Sequence, residues 1–371
     1  LKKYVEDSRA LWENGTDRLD STLIGGVIGI IGVLALAEVC RRSVGLPILI
    51  VAGCFLAYAL TVGLSNPSLW GKLNYTIRYL FYGKEGVLST PINVCSKFIV
   101  GFIVFGAFLE RTGIADYFIQ VANGLVGRFS GGPAKVAVVA SALLGVVSGS
   151  SVANTVGSGS VTIPLMKEAG YKPEFAGAVE AAASTGGQIM PPIMGAAAFL
   201  MADYVQLPYG QIALKAVLPA LLYFTGIFIS VHLEAKKLGL KGLPREQLPK
   251  MGPLLKKSYL LLPLILLIYL VSTSQKSIQY AAALSIVACI FVTLFSRETR
   301  ITPMRILEAL ASGGQGAITV AAACGIAGII AGTITMTGLA NVIINAIVVL
   351  AGDSVFVALF LTMICCIVLG M

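Results

Sequence analysis

Charge is what this sequence has least of. Only 12% of its 371 residues are Asp, Glu, Lys or Arg, about half the ~25% of an ordinary soluble domain, while 57% are hydrophobic. That excludes a soluble globular fold and reads as an all-α polytopic membrane protein. Histidine is reduced to His232, near the end of an apolar span beside Glu234. A lone imidazole there reads as an interfacial side chain rather than a proton relay, and no His pair is available for a metal. The seven cysteines show no paired spacing. Cys40, Cys54, Cys289, Cys324, Cys365 and Cys366 lie in apolar runs, where a thiol behaves as a small hydrophobe, so neither a disulfide nor a metal site is expected. There is no Gly-rich loop followed by Lys-Ser/Thr and no Ser-centred nucleophile elbow. The chain is not read as an enzyme and needs no cofactor.

What is present is hydrocarbon cut by short basic loops. Apolar runs able to cross ~30 Å of lipid stand at 22–40, 46–64, 92–109, 212–233, 259–272 (short), 278–295, 315–335 and 353–369. Shorter apolar pieces lie at 114–127, 134–148, 174–186 and 190–202, interrupted by Gly and Pro. Residues 66–90 carry Trp70, Tyr75, Tyr79, Phe81 and Tyr82 among Lys72, Arg78 and Lys84, the composition of an interfacial linker with an aromatic belt. The net charge of +9 sits in loops, as the positive-inside rule predicts, and not in a nucleic-acid patch. One orientation puts four basic clusters in the cytoplasm: Arg41–Arg42, Lys167–Lys172, the loop 234–257, and Arg297, Arg300 and Arg305. The sequence opens on Leu1 with no signal peptide before the first span and stops at Met371 inside an apolar run, so both ends are expected to be truncated.

A weak internal repeat follows. Phe108–Asp116 ends one span and Thr335–Asn341 ends another. Each precedes a short apolar piece, a Gly-containing break (Gly131-Gly132; Gly352) and a further apolar run, the runs ending at Val147-Ser148-Gly149 and Leu369-Gly370-Met371. On the orientation above Thr112 faces the cytoplasm and Thr337 the outside, so the copies are inverted, an arrangement found in secondary transporters with discontinuous helices. The expected organisation is the end of a small-subunit-like membrane portion (1–65), the linker (66–90), a first inverted repeat (91–233), the cytoplasmic loop (234–257), scaffold helices (258–297) and a second repeat (298–371) truncated before its hairpin.

The most informative stretch is 145–164, GVVSGSSVANTVGSGSVTIP, within a run from Val136 to Met166 that holds no charged side chain. It is too rich in Gly and hydroxyls for a lipid-facing helix, and irregular backbone at membrane depth survives only where it is buried in protein or lines a cavity. It reads as a re-entrant hairpin over 148–164. Its first arm is 134–148, with Gly149, Gly157 and Gly159 permitting turns and Pro164 unable to continue a helix without losing a hydrogen bond. A second cluster, Ala183-Ser-Thr-Gly-Gly-Gln-Ile-Met-Pro-Pro192, breaks another helix (174–203) near its middle. Small residues also serve plain helix packing, and Gly145-x-x-x-Gly149 fits that reading, but packing does not explain two interrupted helices so close in sequence. Neutral oxygens suit a monovalent cation such as sodium, and half-helix amides suit a carboxylate. Candidate sodium ligands are Ser148, Gly149, Ser150, Ser151, Asn154, Gly186 and Gly187. Candidate substrate contacts are Ser150, Ser151, Asn154, Thr155, Gly157, Gln188 and Pro191. Glu180, an intramembrane carboxylate, is either a coupling residue or a structural partner of Lys135 or Lys97.

The strings Gly131-Gly-Pro-Ala-Lys, Ser148-Gly-Ser-Ser-Val-Ala-Asn-Thr, Ile163-Pro-Leu-Met-Lys, Gly170-Tyr-Lys-Pro-Glu-Phe, Glu180-Ala-Ala-Ala-Ser-Thr-Gly-Gly-Gln and Met190-Pro-Pro-Ile-Met-Gly resemble the fused membrane subunit of TRAP (tripartite ATP-independent periplasmic) transporters, in the TAXI variety. The likeness runs from about residue 37 to the end. It implies an elevator-type, sodium-coupled importer of organic acids, dicarboxylates or glutamate-like acids, in the bacterial inner membrane. It also implies a separate periplasmic solute-binding protein as partner. The family continues into a second hairpin holding the other half of the substrate site, which would begin where this sequence stops. A proton-coupled carboxylate transporter using Glu180, or an ion channel, are the other readings of the same residues.

Overall fold

A computed structural model describes residues 23–63, 69–244, 246, 248–273, 277–294, 302–352 and 354–370. Expectations resting on residues 1–22, Arg245, Arg297, Arg300 and Met371 lie outside the described residues. Every regular element among them is helical. Among the described residues, four helices are long and apolar enough to cross a membrane: Thr90–Glu110, Tyr209–Lys237, Gly252–Thr273 and Pro303–Thr337. The chain is an all-α, multi-pass membrane protein, and its exposed surface is correspondingly apolar, with Leu214, Leu218, Leu222 and Ile265 each at least 60% exposed.

The helices group into two compact units, one of residues 1–95 and 318–371, the other of Ser96–Ala317. In the first, α1 (Leu23–Ser43), α2 (Leu46–Tyr58) and α3 (Leu69–Ile77) precede the start of α4 (Thr90–Glu110). The later part of α13 (Pro303–Thr337), α14 (Leu339–Ala351) and α15 (Val355–Gly370) complete it. Its core joins Cys40, Ala52 and Leu80 to Ala322, Ile326 and Ile329. Gly328 and Gly332 allow the α13 backbone to approach the Glu85 and Gly86 carbonyls, since an added Cβ would lie 2.4 Å and 2.3 Å from them.

The second unit carries the polar motifs. After α4 come α5 (Ile114–Val126), α6 (Gly132–Ser148), α7 (Ser151–Glu168), α8 (Pro173–Gly186), α9 (Ala196–Val205), α10 (Tyr209–Lys237), α11 (Gly252–Thr273) and α12 (Ile278–Thr293), and α13 begins. Helices α6, α7 and α8 form its centre. Ala134, Ala137 and Val138 of α6 pack with Met166 of α7, Ala176, Val179 and Ala183 of α8, and Phe224 and Val231 of α10. The alanines of α6 and α8 let these two helices approach closely, the usual solution where lipid supplies no hydrophobic drive between helices. At the base, Tyr171 stacks on Phe175 with ring centroids 5.6 Å apart and its hydroxyl donates to the Gly131 carbonyl at 3.4 Å. Burial, with Glu234 nearby, pushes that hydroxyl up to about 12, so it remains a neutral donor at working pH.

The hairpin differs from its expected outline in one respect. Gly149 and Ser150 alone turn the chain, Gly149 with φ +58°. Gly157, Gly159 and Pro164 all lie inside the continuous helix α7. A Pro breaks a helix only at the cost of one hydrogen bond and a local clash, and the packing of α7 along α6 and α8 outweighs that here.

Candidate functional site

The Gly149 turn is made by ordinary capping chemistry. Helix α6 ends with the Gly149 amide donating to the Gly145 carbonyl at 3.3 Å, and a left-handed residue at that position is the usual helix stop. Ser150 then caps α7, its hydroxyl accepting from the Ala153 amide at 3.3 Å. The α8 helix ends at Gly186, runs through a tight turn over Gly187–Ile189 and leaves through a second turn over residues 191–193 before α9. That segment is pinned by Tyr209, whose hydroxyl lies 2.8 Å from the Pro192 carbonyl oxygen and 2.6 Å from that of Ile193. The Tyr209 ring in turn stacks on Phe199 at 4.3 Å.

The two polar clusters meet. An added Cβ on Gly145 would lie 2.3 Å from the Gly187 Cα, and one on Gly149 would lie 2.0 Å from the Met194 carbonyl oxygen. The hairpin tip therefore rests backbone to backbone on the break after α8. Gln188 reaches across and donates to the Ser151 hydroxyl at 2.8 Å. The Ser148 hydroxyl points to the Ser150 carbonyl at 3.4 Å. Ser148, Gly149, Ser150, Ser151, Gly186, Gly187 and Gln188 thus gather in one layer of neutral oxygens and amides, of which Ser148 to Ser151 are half-buried. Carbonyl and hydroxyl oxygens of this kind suit a monovalent cation, and among the described residues no group of three or more His, Cys, Asp or Glu exists that could hold a divalent metal.

Three of the other candidates sit differently. Thr155 turns back on its own helix, donating to the Ser151 carbonyl at 2.8 Å. Gly157 is on the exposed side of α7, with open space where a Cβ would go. Pro191 lines an apolar cavity of about 210 Å³ with Leu214, Val217 and Ile268. Asn154 is buried, and its amide donates to the Ser141 carbonyl at 2.8 Å, so it braces α7 against α6 immediately below the tip.

A second layer lies deeper. Glu180 is fully buried and its carboxylate accepts from hydroxyls on three helices: Ser141 of α6 at 3.1 Å, Ser158 and Thr162 of α7, and Ser184 of α8 at 3.2 Å. Among the described residues it forms no ion pair. Lys135, one of the cations offered as its partner, instead donates to Nδ1 of His232 at 3.0 Å, with the Phe228 ring 5.3 Å away. Ser141 and Thr162 were not singled out by the sequence reading. The signal was available, because Asn154, Ser158 and Thr162 recur every fourth residue and all three are buried, while Val152 and Val156 on the opposite face are 72% and 68% exposed. This is a helix with its polar stripe inward, concealed by the expectation that 149–164 turns repeatedly.

Comparison with known proteins fits this architecture. Residues 31–371 match the family described as the tripartite ATP-independent periplasmic transporter, DctM component. The chain is 30% identical to the C4-dicarboxylate TRAP transporter large permease protein DctM of Vibrio cholerae over 216 residues, covering 58% of this chain and 44% of that protein. It is 25% identical to the sialic acid TRAP transporter large permease protein SiaM of the same organism over 274 residues, 73% of this chain and 58% of that protein. It is also 29% identical to the isethionate TRAP transporter permease protein DctMQ of Oleidesulfovibrio alaskensis over 151 residues, 39% and 23% of the two chains. The chain spans about half the length of the curated relatives it matches. These matches correct one expectation. The likeness is to the DctM-type large permease and not to a TAXI-type fused subunit, because the hairpin and broken-helix strings report the permease architecture and carry no information on subtype. By the extent of the family match, the chain belongs to the DctM component family of TRAP transporters.

Proposed function

We propose that the chain is the membrane permease component of a secondary active importer for small organic acids in the bacterial inner membrane, coupled to sodium and supplied by a periplasmic solute-binding protein. The observation that carries this reading is the contact between the hairpin tip and the break after α8. Two interrupted helices present neutral oxygens and helix-end amides to one place, the arrangement by which discontinuous helices bind an anion and its coupling cation. Sodium on Ser148, Ser150, Ser151 and the Gly186-Gly187 backbone would tie the tip to the break and supply positive charge beside a carboxylate held by the first amides of α7. The substrates in the relatives' names, C4-dicarboxylates, sialic acid and isethionate, are organic anions.

An inverted-repeat, elevator-type scheme goes with this reading. Gly113 (φ +78°) and Gly338 (φ +70°) each start a 13-residue helix, α5 and α14. Each of those helices is followed by a second left-handed glycine, Gly131 or Gly352, and then by a helix of 17 or 16 residues, α6 or α15. Helix α6 is about 26 Å long at 1.5 Å per residue, short of the ~30 Å hydrocarbon layer, which favours a re-entrant arm over a full span. In this scheme the loop 234–257 is cytoplasmic.

The test is uptake of a candidate organic acid into liposomes containing the reconstituted transporter, with binding protein added and a sodium gradient imposed. Sodium-dependent uptake that falls at least tenfold in Ser151→Ala, with sodium affinity lowered, is expected. Uptake independent of sodium at fixed pH would remove the coupling assignment.

The Glu180 network favours a second reading, proton coupling. Two of the four hydroxyls around Glu180 have an alternative backbone acceptor: Ser158 can donate to the Asn154 carbonyl at 2.8 Å, and Thr162 to the Ser158 carbonyl at 3.0 Å. When the carboxyl is ionised these hydroxyls turn to it. When it is protonated it can donate to one of their oxygens while their protons return to the backbone. A carboxyl group with partners that can switch in this way suits a carrier that loads and unloads a proton. Uptake driven by a pH gradient alone, and abolished by Glu180→Gln, would establish this reading in place of sodium.

A further inference from the structure

Away from the hairpin tip, the second unit contains a cavity of about 470 Å³, within the ~300–1,000 Å³ of small-ligand sites. Three cations line it: Arg111 at the end of α4, Lys257 early in α11 and Arg305 in the first turn of α13. One carboxylate, Asp116, shares the lining, and Arg111 also pairs with Glu308 at 2.8 Å. The lining remains cationic by three charges to one. Tyr259 contributes a hydroxyl, and Ile119, Val161 and Leu260 an apolar wall.

The position is as telling as the charge. Three of the four long apolar helices have an end here: α4 finishes at Glu110, α11 begins at Gly252 and α13 begins at Pro303. Ends of spanning helices lie at headgroup depth, and Tyr with Lys and Arg are the usual residues there. A soluble carboxylate in transit would need a passage, whereas a pocket with cations at the rim and an apolar wall beside it matches a phosphate with acyl chains attached. Guanidinium groups bind phosphate oxygens in a bidentate fork, and basic pockets between spanning helices are a recurring way of holding anionic lipid headgroups.

We infer that Arg111, Lys257 and Arg305 form a binding site for the phosphate headgroup of an anionic phospholipid, with Tyr259 as a further donor and Ile119, Val161 and Leu260 beside the first acyl carbons. The inference is independent of the coupling ion and of the substrate.

Native mass spectrometry of the detergent-purified protein titrated with phosphatidylglycerol tests it, with phosphatidylcholine as the zwitterionic control. Saturable phosphatidylglycerol binding well above that of phosphatidylcholine is expected. Arg305→Gln should weaken it about fivefold, as for the loss of one cation near a charged lipid, and Arg305→Lys should restore most of it. Arg305 is the better target than Arg111, whose loss would also break the Glu308 pair. Melting temperatures measured without lipid separate misfolding from lost binding. Equal binding of the two lipids, or unchanged phosphatidylglycerol binding in a folded Arg305→Gln, overturns the proposal. Displacement of phosphatidylglycerol by millimolar inorganic phosphate, with phosphate binding on its own, would make this a site for a soluble anion and overturn the lipid assignment.

Discussion

Two polar layers lie along α7, and they are built on opposite principles. The tip layer, Ser148 to Ser151 with Gln188, is half-buried and carries no formal charge, and backbone caps and one side-chain bridge hold it together. The deeper layer is sealed, and the carboxyl group of Glu180 collects hydroxyls from three helices. A polar group in a low-dielectric interior is expensive unless its hydrogen-bonding capacity is filled, so the deep layer depends on its partners being in place. The tip loses little if one contact is exchanged for a ligand. The difference assigns rigidity to one layer and exchange to the other.

The largest expected effect comes from emptying the deep layer. Glu180→Ala leaves Ser141, Ser158, Thr162 and Ser184 without their common acceptor and should cost about 3 kcal/mol, the scale of hydrogen bonds to a charged group. The measurement is thermal unfolding in detergent. Glu180→Gln keeps the shape and one acceptor oxygen and should cost less than half as much. If the two variants melt alike, Glu180 does not hold the arms and the contrast between the layers fails. Next in size is Gly145→Ala. The new Cβ would lie 2.3 Å from the Gly187 Cα, and backbone on both sides cannot yield as a side chain end would. About 1–3 kcal/mol of overpacking cost is expected, with loss of transport even where the protein remains folded. A Gly145→Ala variant with full transport would show that tip and break need not touch in the working cycle.

Smaller again is Ser150→Ala. It removes only the N-cap of α7, worth about 1 kcal/mol. Because Ser150 also belongs to the neutral tip layer, sodium affinity should fall by more than the loss of stability accounts for. Isothermal titration with sodium against the melting temperature separates the two roles. A cap effect alone would leave affinity unchanged.

The sequence made the tip legible and left the deep layer only partly so, for a physical reason. Gly149, Ser150 and the Gly186-Gly187 pair are local signals, since a left-handed turn, a capping hydroxyl and a double glycine each act on adjacent residues. The Glu180 network is assembled from residues 141 to 184 on three helices, and no local rule joins Ser141 to Thr162. Its trace was a period of four within α7. That trace was overridden by reading Gly157, Gly159 and Pro164 as breakers, which they are in isolation. Tertiary packing of α7 between α6 and α8 overrode these local preferences. The distinction between DctM-type permease and TAXI-type subunit was not legible at all, because the residues that make the hairpin are the ones the resemblance rested on.

The smallest expected effect tests where α7 stops mattering. Gly157 lies on an exposed flank of the helix, beside the Asn154–Ser158–Thr162 stripe, with nothing within 4 Å of an added Cβ. An interior helical glycine costs about 0.5–1 kcal/mol relative to alanine, mostly in backbone entropy. Gly157→Ala should therefore raise the melting temperature slightly and leave uptake unchanged. If uptake falls severalfold while the protein becomes more stable, this face of α7 is not a passive surface. Gly157 would then be a substrate contact or a sliding surface that needs the missing side chain, and the functional part of the hairpin would extend along its outer face beyond the tip.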